Sequence, residues 1–261
     1  MRLYPLQTRV VRPGDDPASV ILEALKEQNL HLRDNDILAI TSKIIAYAEN
    51  RLIRLSDISP SEKAKALARR YSLQPEFAEL ILQEADKIYG GVEKAVLTLK
   101  DNVLTANAGI DNKNAPIGYV VLWTREPQKW ARCIREEIKQ KTGKRVAVLV
   151  TDSGLMPLKK GTVGLALAVA GFKPVKDQRG EEDIYGKPLV ITQLAVADSL
   201  ASAAHLLMGE SAEKTPVVLI RDAPVEFDDG VYGSADMMMP FDECIFMGTF
   251  GQSEKRERKQ T

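Results

Sequence analysis

Two rhythms of apolar residues run along the chain. Aliphatic runs of strand length recur at Asp36 to Thr41 (DILAIT), Arg145 to Thr151 (RVAVLVT) and Pro216 to Arg221 (PVVLIR). Unbroken runs of this kind predict strands buried on both faces. Between them, apolar residues return every three or four positions, the spacing of an amphipathic helix. Val20, Ile21, Ala24 and Leu25 mark a helix to about Asn29, with Asp16 as N-cap and Pro17 at the first helical position. Ser59-Pro60-Ser61-Glu62 has the form of a capping box and predicts a helix from Pro60 to Tyr71. Further helices are predicted at Pro75 to Asp86, at Val196 to Leu207, and at Glu126 to Thr142, where Trp130, Cys133, Ile134 and Ile138 face inward and Gly143 is the stop. Leu3 to Val11 and Leu189 to Leu194 read as strands, and Asp101-Asn102 reads as the turn of a hairpin between Ala95 to Lys100 and Val103 to Asn107. Periodicity leaves two stretches open between helix and strand: Ile44 to Leu55, and the small-residue run Gly161 to Gly171. Asp228 to Met239 reads as an irregular surface segment whose methionine run suits a partner subunit.

Taken alone, this alternation of strands and helices suggests a doubly wound α/β sheet. No repeat or low-complexity linker divides the chain, so residues 1–250 are expected to form one interwoven unit, followed by a disordered charged tail at 251–261. Composition narrows the classes. Hydrophobic residues are 44% and charged residues 28% of the 261, which argues against disorder. No apolar run approaches the roughly 20 residues of a membrane helix, and the N-terminus lacks a signal-peptide core, so a cytoplasmic protein without a membrane partner is expected. Lys plus Arg and Asp plus Glu are 36 each, leaving no electrostatic reason for a nucleic-acid partner. Cys133, Cys244, His31 and His205 are too scattered for a zinc site or a disulfide framework. His205, beside Leu206 and Leu207, reads as a packed histidine without a partner.

The candidate chemistry gathers where strands and hairpins end. Ser42 and Lys43 follow one predicted strand, Asp152 and Ser153 end another, and Asp111 and Asn114 follow the hairpin; Lys159, Lys160 and Glu210 lie in loops. Open sheets tend to bind ligands at the carboxyl ends of their strands. The carboxylates and hydroxyls here form an all-oxygen set, which suits hard cations such as magnesium, manganese or calcium, of which magnesium and manganese commonly bridge nucleotide phosphates. Neither GxxxxGK[ST] nor GxGxxG after a strand is present.

Five stretches then point one way: TSKIIAYAENR (Thr41 to Arg51), NAGIDNKN (Asn107 to Asn114), VTDS with PLKKGTVGLALAVAG (Val150 to Gly171), KDQRGEEDIYGKPL (Lys176 to Leu189) and VADSLASAAHLLMGE (Val196 to Glu210). Together, in this order, they resemble the coenzyme F420-0:γ-glutamyl ligase family. The resemblance implies an α+β fold of several mixed coiled β-sheets with packed helices, in an intertwined homodimer. It implies a GTP-dependent ligase that activates an acceptor carboxylate as an acyl phosphate and joins L-glutamate to it. Carried over residue by residue, Asp111 and Asp152 resemble ligands of one divalent cation, magnesium or manganese, and Ser153 and Glu210 ligands of a second, with K+ as a further candidate. Thr8, Arg9, Val10, Val11, Ser42, Lys43, Tyr47, Asn114, Met208, Gly209 and Ser211 fall at nucleotide-binding positions, and Lys43 and Lys160 are the candidate catalytic residues. The chain departs from the family pattern at Tyr47 and Asn50, where a lysine and a glycine are usual, and at Leu155-Met156, where Gly-Arg is usual. Losing two cations bears on the acceptor, so folate is the alternative carboxylate, and a nucleotide-binding homologue without catalysis is the alternative of a different class.

Overall fold

The computed structural model describes residues 1–249, so the tail expected at 251–261 lies outside the described residues. In chain order the elements are β1 (Arg2–Leu6), α1 (Pro17–Glu27), β2 (Ile37–Thr41), α2 (Ser42–Ala48), β3 (Leu52–Arg54), α3 (Glu62–Tyr71), α4 (Pro75–Glu84), β4 (Lys87–Val92), β5 (Ala95–Lys100), β6 (Val103–Ala106) and β7 (Tyr119–Val121). There follow α5 (Pro127–Thr142), β8 (Ala147–Leu155), β9 (Thr162–Phe172), β10 (Val175–Asp177), β11 (Gln193–Ala195), α6 (Val196–Met208), β12 (Val217–Arg221), β13 (Phe227–Gly233) and α7 (Ser234–Met237).

The central sheet has six strands in the order β1-β12-β2-β8-β9-β13. Its one parallel pair is β2 and β8, registered from Ile37↔Ala147 to Thr41↔Thr151; the other pairings in this sheet are antiparallel. The unbroken aliphatic runs reflect a sheet covered twice. Leu38, Ile40, Val148, Val150, Val217 and Leu219 pack with α1, α2 and α5. Their alternates Ile37, Ala39, Ala147, Leu149, Val218 and Ile220 pack with α6 on the other face. With one parallel pair and further sheets of three strands (β4-β5-β6) and two strands (β3-β7 and β10-β11), the architecture is α+β, as the family resemblance implies and not doubly wound.

A bulge in the sheet bears on the site. Val150 faces Ala168 but Thr151 faces Ala166, so Leu167 stands unopposed. Extra residues of this kind increase twist and re-aim the strand they interrupt. Here the change falls one residue before Asp152. Asp198 of α6 accepts a hydrogen bond from the Ala166 amide at 2.8 Å, and the Thr151 hydroxyl donates to the Leu165 carbonyl at 2.8 Å, which hold the distorted ladder in place.

A second layer of helix and sheet carries the loop that reaches the site. Leu80, Ile81, Ala108, Ile110, Val120 and Leu122 form its core. Gly109 adopts φ +70°, and a Cβ there would lie 1.6 Å from the Trp123 ring; glycine alone permits both that conformation and that approach. Arg51, buried beneath, donates to the Trp123 carbonyl at 2.7 Å and pairs with Glu84 at 2.7 Å.

Several local expectations change. β1 stops at Leu6, and Thr8 donates instead to the Lys214 carbonyl at 3.0 Å. Ile44 to Leu55 is both helix and strand, α2 then β3, while Gly161 to Gly171 lies almost entirely in β9. The cap of α3 is Ser61, whose hydroxyl accepts from the Ala64 amide at 3.2 Å, so the helix begins at Glu62 rather than Pro60. The strand expected at Leu189 to Leu194 shrinks to β11. Cys133 is exposed, because Ala131, Ile134 and Ile138 form the buried stripe of α5 and Cys133 falls beside it. Asp228 to Met239 is more regular than its composition suggests: β13 pairs with β9 from Val231↔Ala170 to Gly233↔Ala168. Among the described residues, no helix is long and apolar enough to cross a membrane.

Candidate active site

Because β2 and β8 are parallel, their carboxyl ends open at one edge of the sheet and bring Ser42 and Asp152 together. The Ser42 hydroxyl donates to Asp152 Oδ2 at 2.5 Å, and the Ser153 amide donates to Oδ1 at 2.7 Å. Lys43, the next residue of α2, points its ammonium at Asp111 Oδ2, 2.5 Å away, and also donates to the Lys113 carbonyl at 3.1 Å. Asp111 is fixed in turn. Its backbone pairs with Val121 in both directions, and its Oδ1 accepts from the Lys113 amide at 2.7 Å.

Lys43, Asp111, Asp152 and Ser153 lie along a cavity of about 320 Å³, large enough for a small-molecule ligand. Thr8 to Val11, Ile44, Tyr47 and the Met208 to Pro216 loop form its other walls. A chain of polar contacts crosses it: the Tyr47 hydroxyl donates to the Asn114 carbonyl at 2.9 Å, and the Asn114 amide to the Ser211 carbonyl at 3.1 Å. At the far wall Glu210 accepts from Thr162 at 2.8 Å and Lys113 at 3.3 Å, and meets His205 Nε2 at 2.7 Å.

The carboxylates differ in electrostatics. Burial pushes the Asp152 carboxyl above its usual range, against the pull of Ser42, the Ser153 amide and Lys43, and the neighbouring Asp111 charge pushes the same way as burial. Burial acts on Glu210 too, but hydrogen bonds from His205, Thr162 and Lys113 outweigh it and hold the carboxyl down at about 2. Among the described residues, no three His, Cys, Asp or Glu side chains converge as a metal-binding group. The donor set nonetheless fits a hard cation. Two carboxylates that repel each other, with the Ser42 hydroxyl beside one of them and only the Lys43 ammonium set against them, offer oxygen ligands, and magnesium characteristically completes such a partial set with phosphate oxygens and water.

The family model for F420-0:γ-glutamyl ligase matches residues 5–222. This chain belongs to the F420-0:γ-glutamyl ligase family. It is 40% identical to a coenzyme F420:L-glutamate ligase of Methanopyrus kandleri over 230 residues, 87% of this chain and 89% of that one. Proteins of the same name from Methanothermobacter thermautotrophicus and Methanocaldococcus jannaschii are 37% and 38% identical, covering 92% and 82% of this chain and 95% and 86% of theirs. The family match spans β1 to β12 and thus every wall of the cavity.

Within this family member, the structure gathers nearly all the residues expected at the site. Thr8, Arg9, Val10, Val11, Lys43, Tyr47, Asp111, Asn114, Asp152, Ser153, Met208, Gly209, Glu210 and Ser211 line the cavity. Ser42 lies just behind it, in a small recess of about 20 Å³ shared with Lys43, Asp111 and Asp152. Lys160 stands apart, exposed on the turn between β8 and β9 and outside the cavity wall. Besides wall residues such as Ile44, two basic site residues escaped the sequence reading. Lys113 carries no signal beyond its place in the NAGIDNKN loop, and His205 has a partner after all in Glu210, just past the end of its helix.

Proposed function

We propose that this chain is a GTP-dependent γ-glutamyl ligase that joins L-glutamate to a carboxylate acceptor of the coenzyme F420-0 type. The observation that carries this reading is the meeting of Lys43, Asp111 and Asp152 on the floor of a cavity at one edge of the sheet, with Ser42 just behind them, in a chain of this family. In the first step an acceptor carboxylate oxygen attacks the γ-phosphorus of GTP, GDP leaves, and an acyl phosphate forms. In the second the glutamate amine attacks the acyl carbon, phosphate departs with the C–O electron pair, and the nitrogen loses a proton to leave the amide.

Val10, Val11, Ile44 and Tyr47 give the cavity an apolar side for a purine, and the Met208 to Thr215 loop faces it across the opening. Asp111 and Asp152 would hold one divalent cation, magnesium or manganese, and Ser153 and Glu210 a second. Bound there, the cations would neutralise charge on the transferring phosphoryl group. Lys43, whose ammonium now rests on Asp111, would turn it to the same phosphates. Lys160, free of the cavity wall, is left for the anionic tail of the acceptor. Two copies of the chain form the working unit, supported by the apolar surface of the segment between β10 and β11, where Ile184 is 91% and Ile191 86% exposed.

The test is phosphate release from GTP, manganese and L-glutamate with an F420-0 acceptor or a folate, with products identified by mass. A gain of one glutamyl residue on the F420-0 acceptor is the expected result. A gain on folate alone would reassign the acceptor, and tight GTP binding without turnover on either would overturn the ligase reading.

A further inference from the structure

Glu210 is held by side chains from three separate parts of the chain, and their grips differ. Oε1 meets His205 Nε2 at 2.7 Å and accepts from the Thr162 hydroxyl at 2.8 Å, whereas Oε2 meets only the Lys113 ammonium, at 3.3 Å. The His205 side chain is 14% exposed and that of Lys113 is 59% exposed. One oxygen is therefore pinned by a confined ring, and the other is held loosely by a long chain in solvent. The backbone reinforces the pin. Gly209 donates to the His205 carbonyl at 3.0 Å and takes φ +70°, so the residue that grips Glu210 also closes the helix end that delivers it. Nε2 can donate from the matching neutral tautomer or from the imidazolium, so the grip does not require a charged ring.

We propose that His205 is a positioning residue that fixes Glu210 Oε1 so that Oε2 alone serves the cavity, and that Lys113 holds with its ammonium the place a divalent cation takes there. The proposal rests on the reading of Glu210 as a cation ligand. Partners that orient a ligand without touching the ion commonly carry 10- to 100-fold in metal affinity. Lys113 acts in the opposite sense, because its ammonium must leave Oε2 before a second positive charge can approach.

Manganese binding to the full chain, followed by electron paramagnetic resonance with and without GDP, tests both halves. His205→Ala should weaken one class of manganese site by about 10-fold or more. His205→Gln, whose side-chain amide presents a donor near the Nε2 position, should recover most of that loss. Lys113→Met should tighten the same site several-fold. Near-ultraviolet circular dichroism separates these effects from loss of fold. Equal weakening in the alanine and glutamine variants would trace the effect to ring bulk and overturn the positioning role, as would unchanged binding in both. An unchanged Lys113→Met would overturn the placeholder role. Glu210→Gln is the separate control: if it binds manganese as the parent does, the cation reading of Glu210 falls and the proposal with it, whereas a weakened Glu210→Gln beside a normal His205→Ala refutes only the proposal.

Discussion

At the scale of the residue, Asp152 sets function against stability. Its carboxyl is desolvated and lies in the field of Asp111. A carboxylate in that position costs the fold more than a neutral group would. Asp152→Ala should therefore lower turnover by about 100-fold or more while leaving the melting temperature unchanged or raised. A drop of about 5 °C or more would make Asp152 a structural residue instead. Tyr47 offers a finer probe, since its hydroxyl donates to the Asn114 carbonyl at 2.9 Å. Removing one such bond costs about 1 kcal/mol, so Tyr47→Phe should weaken GTP binding by about five-fold, and equal dissociation constants would reduce Tyr47 to a space-filler. Ser42, Lys43 and Asp152 were legible in sequence because each ends or follows an aliphatic strand, where open sheets expose polar groups. His205 was not. A helical repeat places it beside Leu206 and Leu207, and only the turn at Gly209 folds Glu210 back to meet it. The Lys113 side chain gains its partner from a residue about a hundred positions away.

Elements were legible in proportion to how local their signals are. Asp16 and Gly143 mark helix ends through contacts within a few residues, and Asp101 and Asn102 both take the positive φ that their hairpin requires. β13 was hidden because its charged Asp228-Asp229 pair and a register shift between Phe227 and Val231 erase any alternation. The bulge beside Asp152 is also invisible locally, being defined by a partner strand and by Asp198 of α6. Burial pushes the Asp198 carboxyl up, against the pull of the Ala166 amide. A folded-state pKa above the unfolded value of about 4 means that the folded protein binds the proton more tightly, so stability from this group is lost as pH rises through that window. Asp198→Asn keeps the acceptor without the charge, and should lose less melting temperature than the parent as pH rises above the ordinary carboxylate range of about 4. Parallel pH profiles would show that the carboxyl is effectively solvated. On the other side of the same contact, a Cβ on Gly164 would lie 2.2 Å from the Ala201 carbonyl oxygen. Gly164→Ala should cost about 2 kcal/mol, seen as a lower urea midpoint, and an unchanged midpoint would mean that α6 shifts freely on β9.

At the scale of the whole molecule, alternating helices and strands misled on topology because sequence order says little about pairing: only β2 and β8 run parallel in the central sheet. The family resemblance set the class correctly where periodicity did not. Its homodimer is open to a direct measurement. Ile184→Asp combined with Ile191→Asp should convert a particle of twice the chain mass into one of single mass by light scattering, whereas a parent protein already at single mass would refute the dimer.

The strand order β1-β12-β2 has a consequence for how the enzyme is made. β1 touches the sheet only through β12, which is synthesised more than two hundred residues later. Until Val217 to Arg221 emerge, β1 has no strand to pair with and the free side of β2 is an open, aliphatic edge, the kind of surface that chaperones shield and aggregation exploits. The loop from Met208 to Pro216, which walls the cavity, is delivered immediately before that strand. Closing the sheet and completing the pocket are thus neighbouring events in translation, and a nascent chain passes from having neither to having both within a few codons.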